Sequence, residues 1–493
     1  MISVPMMLPD GTTPDPLAGQ NRRAMTRRTE NDLRKALASF ESGMNTPEMV
    51  SHFRYANGSD ADAAADSMAR ANLRNRCRYE SMNNGFVRGM LSTLADHVVS
   101  TGPRMHLPFL DRSQRRQSVS VWQEWADEVN LTETLRIARI SRAESGEVFV
   151  LLTRNDSLES PIKLHPRLVE ADQVATPGMW FNDQVVDGMR LGADGQVLEY
   201  HLLRHHPGTK RHIVGLPTDF DRIPASYMLH WAWLTRPGQH RGVPEFSSTL
   251  PIWAAWRRFL YATLAAAETA ADFAAVLMSR EPAIGGEGDV PQPMDLMELT
   301  QRMATVLPAG YELGQVRAEH PQTTIRDFQH AVITQAARIW NMPYSVAIGD
   351  SSESNFASAR LDHKPYFFAR KIEQQSLENT ILRPIARRWI AEGSLIEGLL
   401  PQGLRSIHTG RISWLWGTQD DHEPRERAVA QQMGLELSTT TLSHELAAKG
   451  MDWEEVIEQR AKERDMLKRL GLETDHAPGT GSGTVPEREE AES

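Results

Sequence analysis

Apolar residues recur at three- and four-residue spacing through most of the chain, and the interruptions of that rhythm divide it. Ile325, Phe328, Val332, Ala336 and Ile339 fall on one face of a helix expected to start at a capping box over Thr324 to Asp327 and to run to about Trp340. Pro343 ends it, because proline has no amide hydrogen to donate and forces Met342 out of helical geometry. The rhythm resumes near Phe356 and continues through Phe367, Ile372, Ile381, Ile385 and Trp389, with Pro365 and Pro384 as expected kinks or breaks. Between the two blocks lies a compact polar stretch, Gly349 to Arg360.

Upstream, residues 31–43, 61–99 and 114–143 read as helices, the second closed by Thr101, Gly102 and Pro103. The period then shortens to two. Glu147–Thr153, Ile162–His165, Val185–Leu191, Gln196–Leu203 and Ile223–Trp233 read as strands, with a hairpin turn at Gly192–Gly195. This predicts a small antiparallel β layer on the preceding helices, an α+β arrangement that is mainly helical. Turn formers concentrate at Arg236-Pro-Gly-Gln-His-Arg-Gly-Val-Pro244 and release the chain into an alanine-rich helix, expected from Ile252 to about Met278. Arg257, Glu268 and Asp272 share one of its stripes. Residues 281–323 break pattern, with a helix expected over 294–307 and a strand over 310–316. A strand at Ile407–Trp416 and helices at about 423–434, 438–448 and 452–470 follow, with Ser438 and Asp452 as caps, Glu455 completing a second capping box and Gly450 as a stop. Residues 1–30 read as a mobile arm and 473–493 as a disordered tail.

Charge narrows the function. Lys and Arg total 54 against 64 Asp and Glu, a balance of −10. No basic stripe dominates, which disfavours tight nonspecific DNA binding by counterion release and leaves looser contact open. The single cysteine, Cys77, excludes an intrachain disulfide and a multi-cysteine zinc site. No signal core follows Met1 and no span approaches the roughly 20 apolar residues of a membrane helix, so the expectation is a soluble intracellular protein, or part of a particle assembled inside cells.

Chemistry is sparse. The phosphate-loop, His-Glu-x-x-His and Gly-x-Ser-x-Gly patterns are absent. His201, His205, His206 and His212 form a histidine-rich patch. A metal-dependent hydrolase built on His201 and His205, or on the cluster Asp420, Asp421, His422 and Glu423, is the competing reading. Four-residue spacing joins ligands on a helix, whereas this patch lies in strand and turn. Capping of the next helix explains the acidic cluster more simply.

In order and separation, Arg236 to Pro244 and Ser354-Asn-Phe-Ala-Ser-Ala-Arg360, set around the alanine-rich helix, the insertion and the second helix, resemble the lambda-type portal proteins of tailed bacteriophages. The stretch Asp421 to Ala428 is similar to a further family pattern, with a slight departure in spacing. The resemblance spans about residues 30–472. It implies a ring subunit with wing, stem, clip and crown: 31–250 the wing, 251–280 and 324–348 the stem helices, 281–323 the clip, 349–360 the channel loop, 361–400 a long kinked helix, and 401–472 a return strand and crown helices. It also implies twelve subunits, passage of double-stranded DNA, docking of the terminase large subunit and head-completion proteins, contact with capsid and scaffolding proteins, no membrane, no cofactor and no catalytic residues. Channel candidates are Glu268, Asp272, Ser351, Ser352, Glu353, Ser354 and Asn355, whose acidic and hydroxyl groups suit weak, sequence-blind contact with DNA. The residues that carry the two motifs are Arg236, Pro237, Gly238, Gln239, Arg241, Gly242 and Pro244, and Asn355, Ser358 and Arg360.

Overall fold

A computed structural model describes residues 47–56, 58–176, 185–209, 219–272, 276–279, 311–314, 322–352, 356–406, 411–417 and 424–472. The chain divides into Met1–Ala64 and Ala65–Ser493. Among its described residues the first unit holds the short helices Pro47–His52 and Ala61–Ala64.

The second unit opens with α1 (Ser67–Asn83) and α2 (Gly85–Val99). The long helix expected over 61–99 is broken at Asn84, whose backbone is extended and whose side-chain oxygen accepts from the amides of Phe86 and Val87. Then come β1 (Arg104–His106), α3 (Arg112–Glu128) and α4 (Leu131–Ser145). The single helix expected over 114–143 is divided at Asn130, which takes a left-handed conformation.

The β layer is two antiparallel sheets. β2 (Glu147–Arg154) lies between β3 (Leu164–Val169) and β8 (Met228–Ala232), and β4 (Val185–Val186), β5 (Met189–Leu191), β6 (Val197–Leu203) and β7 (Phe220–Pro224) form the second sheet in that order. The Gly192–Gly195 turn joins β5 to β6, closed by Gly192 N–H to Gln196 O at 2.7 Å. Phe149, Leu151 and Met228 from one sheet and Met189, Tyr200 and Leu202 from the other share one apolar cluster. The expected strand Ile223–Trp233 is split between the sheets, because a 3-10 turn at Ala225–Tyr227 lets the chain cross from β7 to β8.

α5 (Leu250–Asp272) ends earlier than expected, and Val276–Ser279 forms β9, paired antiparallel with β10 (Tyr311–Gly314). Cross-strand hydrogen bonding by a β-branched and apolar segment overrides the helix propensity of the alanine run. The helix expected over 294–307 lies outside the described residues. α6 (Gln322–Ala337) starts two residues before Thr324 and closes through a 3-10 turn to Trp340. α7 (Tyr344–Ile348) follows Pro343. α8 (Phe356–Leu377) contains Pro365 without interruption, and a π-helical turn at Glu378–Leu382 joins it to α9 (Arg383–Gly393), where Pro384 occupies the tolerant first turn. Residues 356–360 are therefore helical rather than loop.

β11 (Ser413–Leu415) pairs with β1. The C-terminal helices are α10 (Pro424–Glu436), α11 (Leu442–Ala448) and α12 (Trp453–Leu470). Ser438 is not a cap: it ends α10 at φ 56°, and Thr441 caps α11. Asp452 caps α12 as expected, accepting from Glu454 N–H at 3.0 Å.

Two larger cores hold the unit together. Trp122, Trp125, Trp389 and Trp414 meet between α3, α9 and β11, and Trp253, Trp256, Trp340 and Tyr366 meet between α5, α6, α8 and α2. At about 25 cal/mol per Å² of apolar surface, such aromatic clusters dominate the burial energy. Among the described residues no helix is long and apolar enough to cross a membrane.

Candidate functional site

The turn-rich stretch 236–244 is a strap clamped onto the start of β2. It first folds on itself. Gln239 Oε1 accepts from the amides of Thr235 (2.9 Å) and Arg236 (3.3 Å), Gln239 Nε2 donates to Arg241 O at 2.8 Å, and Gly238 supplies the left-handed residue the turn requires, at φ 76°. The strap then passes so close to the α4–β2 junction that a Cβ on Gly242 would stand 2.1 Å from the Gly146 carbonyl oxygen.

Arg241 locks this approach. Its fully buried guanidinium donates to Glu147 Oε1 through Nε at 2.8 Å and to the carbonyls of Val174 (2.8 Å), Ala171 (3.0 Å) and Asp187. Glu147 also accepts from Gly242 N–H at 2.9 Å and faces His230 Nε2 at 2.9 Å. Burial pushes the Glu147 carboxyl up, but Arg241 and His230 outweigh it and hold the group well below the usual carboxylate range.

The residue after the strap, Glu245, enters a second buried network. Arg139 on α4 forks between Glu245 (3.0 and 3.1 Å) and Glu373 on α8 (3.0 and 3.1 Å). Trp340 Nε1 donates to Glu245 at 2.7 Å, while Arg370 donates to Glu373 Oε2 and to Trp340 O, each at 3.0 Å. Arg142 lies over the Trp231 ring at 4.5 Å. Burial raises Glu245, but Arg139 and Arg142 outweigh it and keep the carboxylate ionised. Paired charges in such a place cost little only while every member stays.

This network holds the flanks of the polar loop. Trp340 ends the α6 segment, and Arg370 and Glu373 lie on α8, so strap, α4, α6 and α8 meet at one ionic knot. At the loop itself, Gly349 caps α7 at φ 73°, and the Asp350 carboxylate accepts from Ser352 N–H at 2.8 Å. Ser351 and Ser352 are exposed.

A model of the phage portal proteins of the lambda family matches residues 49–367, which include the strap, the knot up to α6, and the loop. The chain belongs to that family. This portal protein is 24% identical over 427 residues to a "Probable portal protein" of Halomonas phage phiHAP-1, covering 81% of each. Among solved structures it is similar to a chain in the neck of an empty GTA particle computed with C6 symmetry (TM-score 0.46, 13% identity, 76% of this chain and 90% of that one). It is also similar to a chain in the neck of a native GTA particle computed with C12 symmetry (TM-score 0.40, 14% identity, 76% and 91%). As a phage portal protein it is a virion component of the capsid vertex and head–tail connector, in a family that is structural rather than enzymatic.

The motif residues divide accordingly. Gln239, Arg241, Gly242 and Pro244 are buried in the portal subunit, whereas Arg236, Pro237 and Gly238 are exposed at the turn. Of the channel candidates, Glu268 is exposed on α5 and Ser351 and Ser352 on the α7–α8 connection. Glu353, Ser354 and Asn355 lie outside the described residues, as do the side chains of Asp272 and Ser358; Arg360 is exposed on α8. Arg139, Glu147, Glu245, Arg370 and Glu373 were not singled out by sequence reading. The available signal was their position: Arg139 and Arg142 share the apolar face of Leu135.

The histidine patch does not come together as a site. His201 is buried on β6 with Nε2 3.5 Å from Glu199 Oε1, and His205 lies beyond the end of that strand. His212 and the 420–423 cluster lie outside the described residues. Among the described residues, the three groups that could share an ion are Glu170, Asp172 and His206. There Arg78 reaches Asp172 Oδ2 at 2.7 Å and Arg74 reaches Oδ1 at 2.9 Å, so guanidinium groups already supply the positive charge.

Proposed function

We propose that the protein assembles as a ring, of twelve subunits, at one capsid vertex, and that double-stranded DNA is packaged and ejected through its centre. The family match over residues 49–367, which include the strap, α5, α6 and the loop, carries this reading. α5 and α6 form the stem, 281–323 the clip that docks the terminase large subunit and later the head-completion proteins, and the loop from Gly349 the part nearest DNA. Wing surfaces of residues 31–250 meet capsid and scaffolding proteins, and α10–α12 form the crown.

The loop's chemistry supports a sliding contact. Hydroxyls at Ser351 and Ser352 offer weak hydrogen bonds to phosphate, whereas arginines would bind it by counterion release. We assign no catalytic residue and no resident metal or cofactor. End-on electron microscopy of the purified full-length protein tests the ring: a closed ring with a central hole is expected, and monomers under every assembly condition would overturn it. Within rings, Ser351→Arg with Ser352→Arg is expected to slow DNA packaging and leave assembly unchanged; unaltered packaging would remove the loop assignment.

A further inference from the structure

His97 and Tyr366 meet where α2 packs on α8, the helix that follows the polar loop. His97 Nδ1 lies 2.8 Å from the hydroxyl of Tyr366, a fully buried residue. The Phe367 ring lies 6.1 Å from the His97 ring and 5.8 Å from that of His363, and His363 Nε2 meets Ser345 Oγ on α7 at 3.3 Å. α7 runs directly into Gly349, so α2, α7 and α8 are joined at the base of the loop through two imidazoles.

A buried phenol needs an acceptor for its hydrogen. Among the described residues the hydrogen-bond partner of the Tyr366 hydroxyl is His97 Nδ1, so the O–H donates and His97 is the neutral tautomer with its hydrogen on Nε2. A second proton on the ring has to enter at Nδ1. Nδ1–H would then donate to the phenol oxygen, and the buried phenol hydrogen would lose its acceptor. The new cation would also face Arg370, whose guanidinium lies over the Tyr366 ring at 4.9 Å, and the imidazole of His363. Asp96 on α2 opposes this, but its carboxylate is already turned to Arg136 on α4 at 2.6 Å, and α7 carries no charged side chain. Burial and then Arg370 outweigh Asp96 and hold the His97 imidazole below its ordinary range.

We infer that the His97–Tyr366 contact is a proton-sensitive latch, closed while His97 is neutral and opened by its protonation, that holds α8 on α2 and with it the base of the loop. The inference goes beyond the channel reading and does not depend on what the loop faces. Because the folded-state pKa is depressed, the latch contributes in full above the ordinary value of 6.5 and is lost as pH falls through the depressed one.

Hydrogen–deuterium exchange of the full-length protein at about pH 7.5 and about pH 5.5, corrected for the intrinsic pH dependence of amide exchange, tests it. Peptides over 344–352 and 361–370 should open at least about threefold more at the lower pH in wild type. They should not in His97→Gln, whose amide oxygen still accepts from Tyr366 and does not titrate. Equal pH dependence in the two proteins, or none in wild type, would overturn the latch. Tyr366→Phe gives the same answer if the first variant does not fold: with no hydroxyl to strand, it should be more open than wild type at the higher pH and respond less to acid, and a full acid response would overturn the latch. Electron microscopy at both pH values reports rings separately, so failure of the ring reading is distinguished from failure of the latch.

Discussion

The strap-bound body and the C-terminal helices both rely on arginine–carboxylate pairs, yet the pairs do different work. At the knot, Arg139, Glu245 and Glu373 are buried and each group has several partners. At α12, Arg116 and Glu458 are joined at a surface that solvent reaches, with the Arg116 side chain 56% exposed. Buried pairs fix register and are intolerant of losing one member, whereas exposed pairs contribute about 0–1 kcal/mol each and weaken in salt. The difference separates loop-bearing helices held in one geometry from C-terminal helices whose surface contacts can adjust.

The largest effect should come from breaking the knot. Arg139→Met leaves Glu245 and Glu373 buried without their main partner and should lower unfolding free energy by about 3–5 kcal/mol in chemical denaturation. A loss under about 1 kcal/mol would place the knot in the same class as the α12 contacts. Acid should act on the second buried pair. The folded-state pKa of Glu147 lies below its ordinary 4.5, so its contribution is fully present above that value and is lost as pH falls through the depressed one. Thermal scans should show wild type losing more stability than Glu147→Gln as pH falls below about 4.5, and equal slopes would contradict the assignment.

Smaller effects sharpen the contrast. Gly242→Ala must move the strap away from the Gly146 carbonyl, and a cost of about 1–3 kcal/mol is expected from overpacking against backbone. Full stability in that variant would mean that the strap yields easily. Glu454→Gln, by comparison, should change global stability by less than about 1 kcal/mol while increasing protease cleavage before α12. A large global loss would show that the C-terminal helices are part of the body after all.

Much of this architecture was legible in the sequence. The helices over 325–340 and 356–391 followed from apolar spacing, and the Arg236–Pro244 turn followed from its Gly and Pro content, because these signals are local. The knot was not legible, since Arg139 meets partners 106 and 234 residues away and nothing in a helical period says which buried charges will pair. The split of 223–233 between two sheets and the early end of α5 were hidden for the same reason: strand partners, not local propensity, decide them. At the loop, spacing had the helix resume near Phe356, where α8 begins, whereas the family resemblance carried the loop on to Arg360, into α8.

Hydrogen–deuterium exchange of the full-length protein at low and high salt tests the contrast most directly. Raising salt from about 0.1 to about 1 M shortens the screening length from roughly 10 to 3 Å, which weakens exposed pairs and barely touches buried ones. Amides of α4 and α8 around Arg139 and Glu373 should keep their protection, while those of α12 should exchange faster. Equal acceleration in both regions, or an α12 as insensitive to salt as α8, would contradict the account.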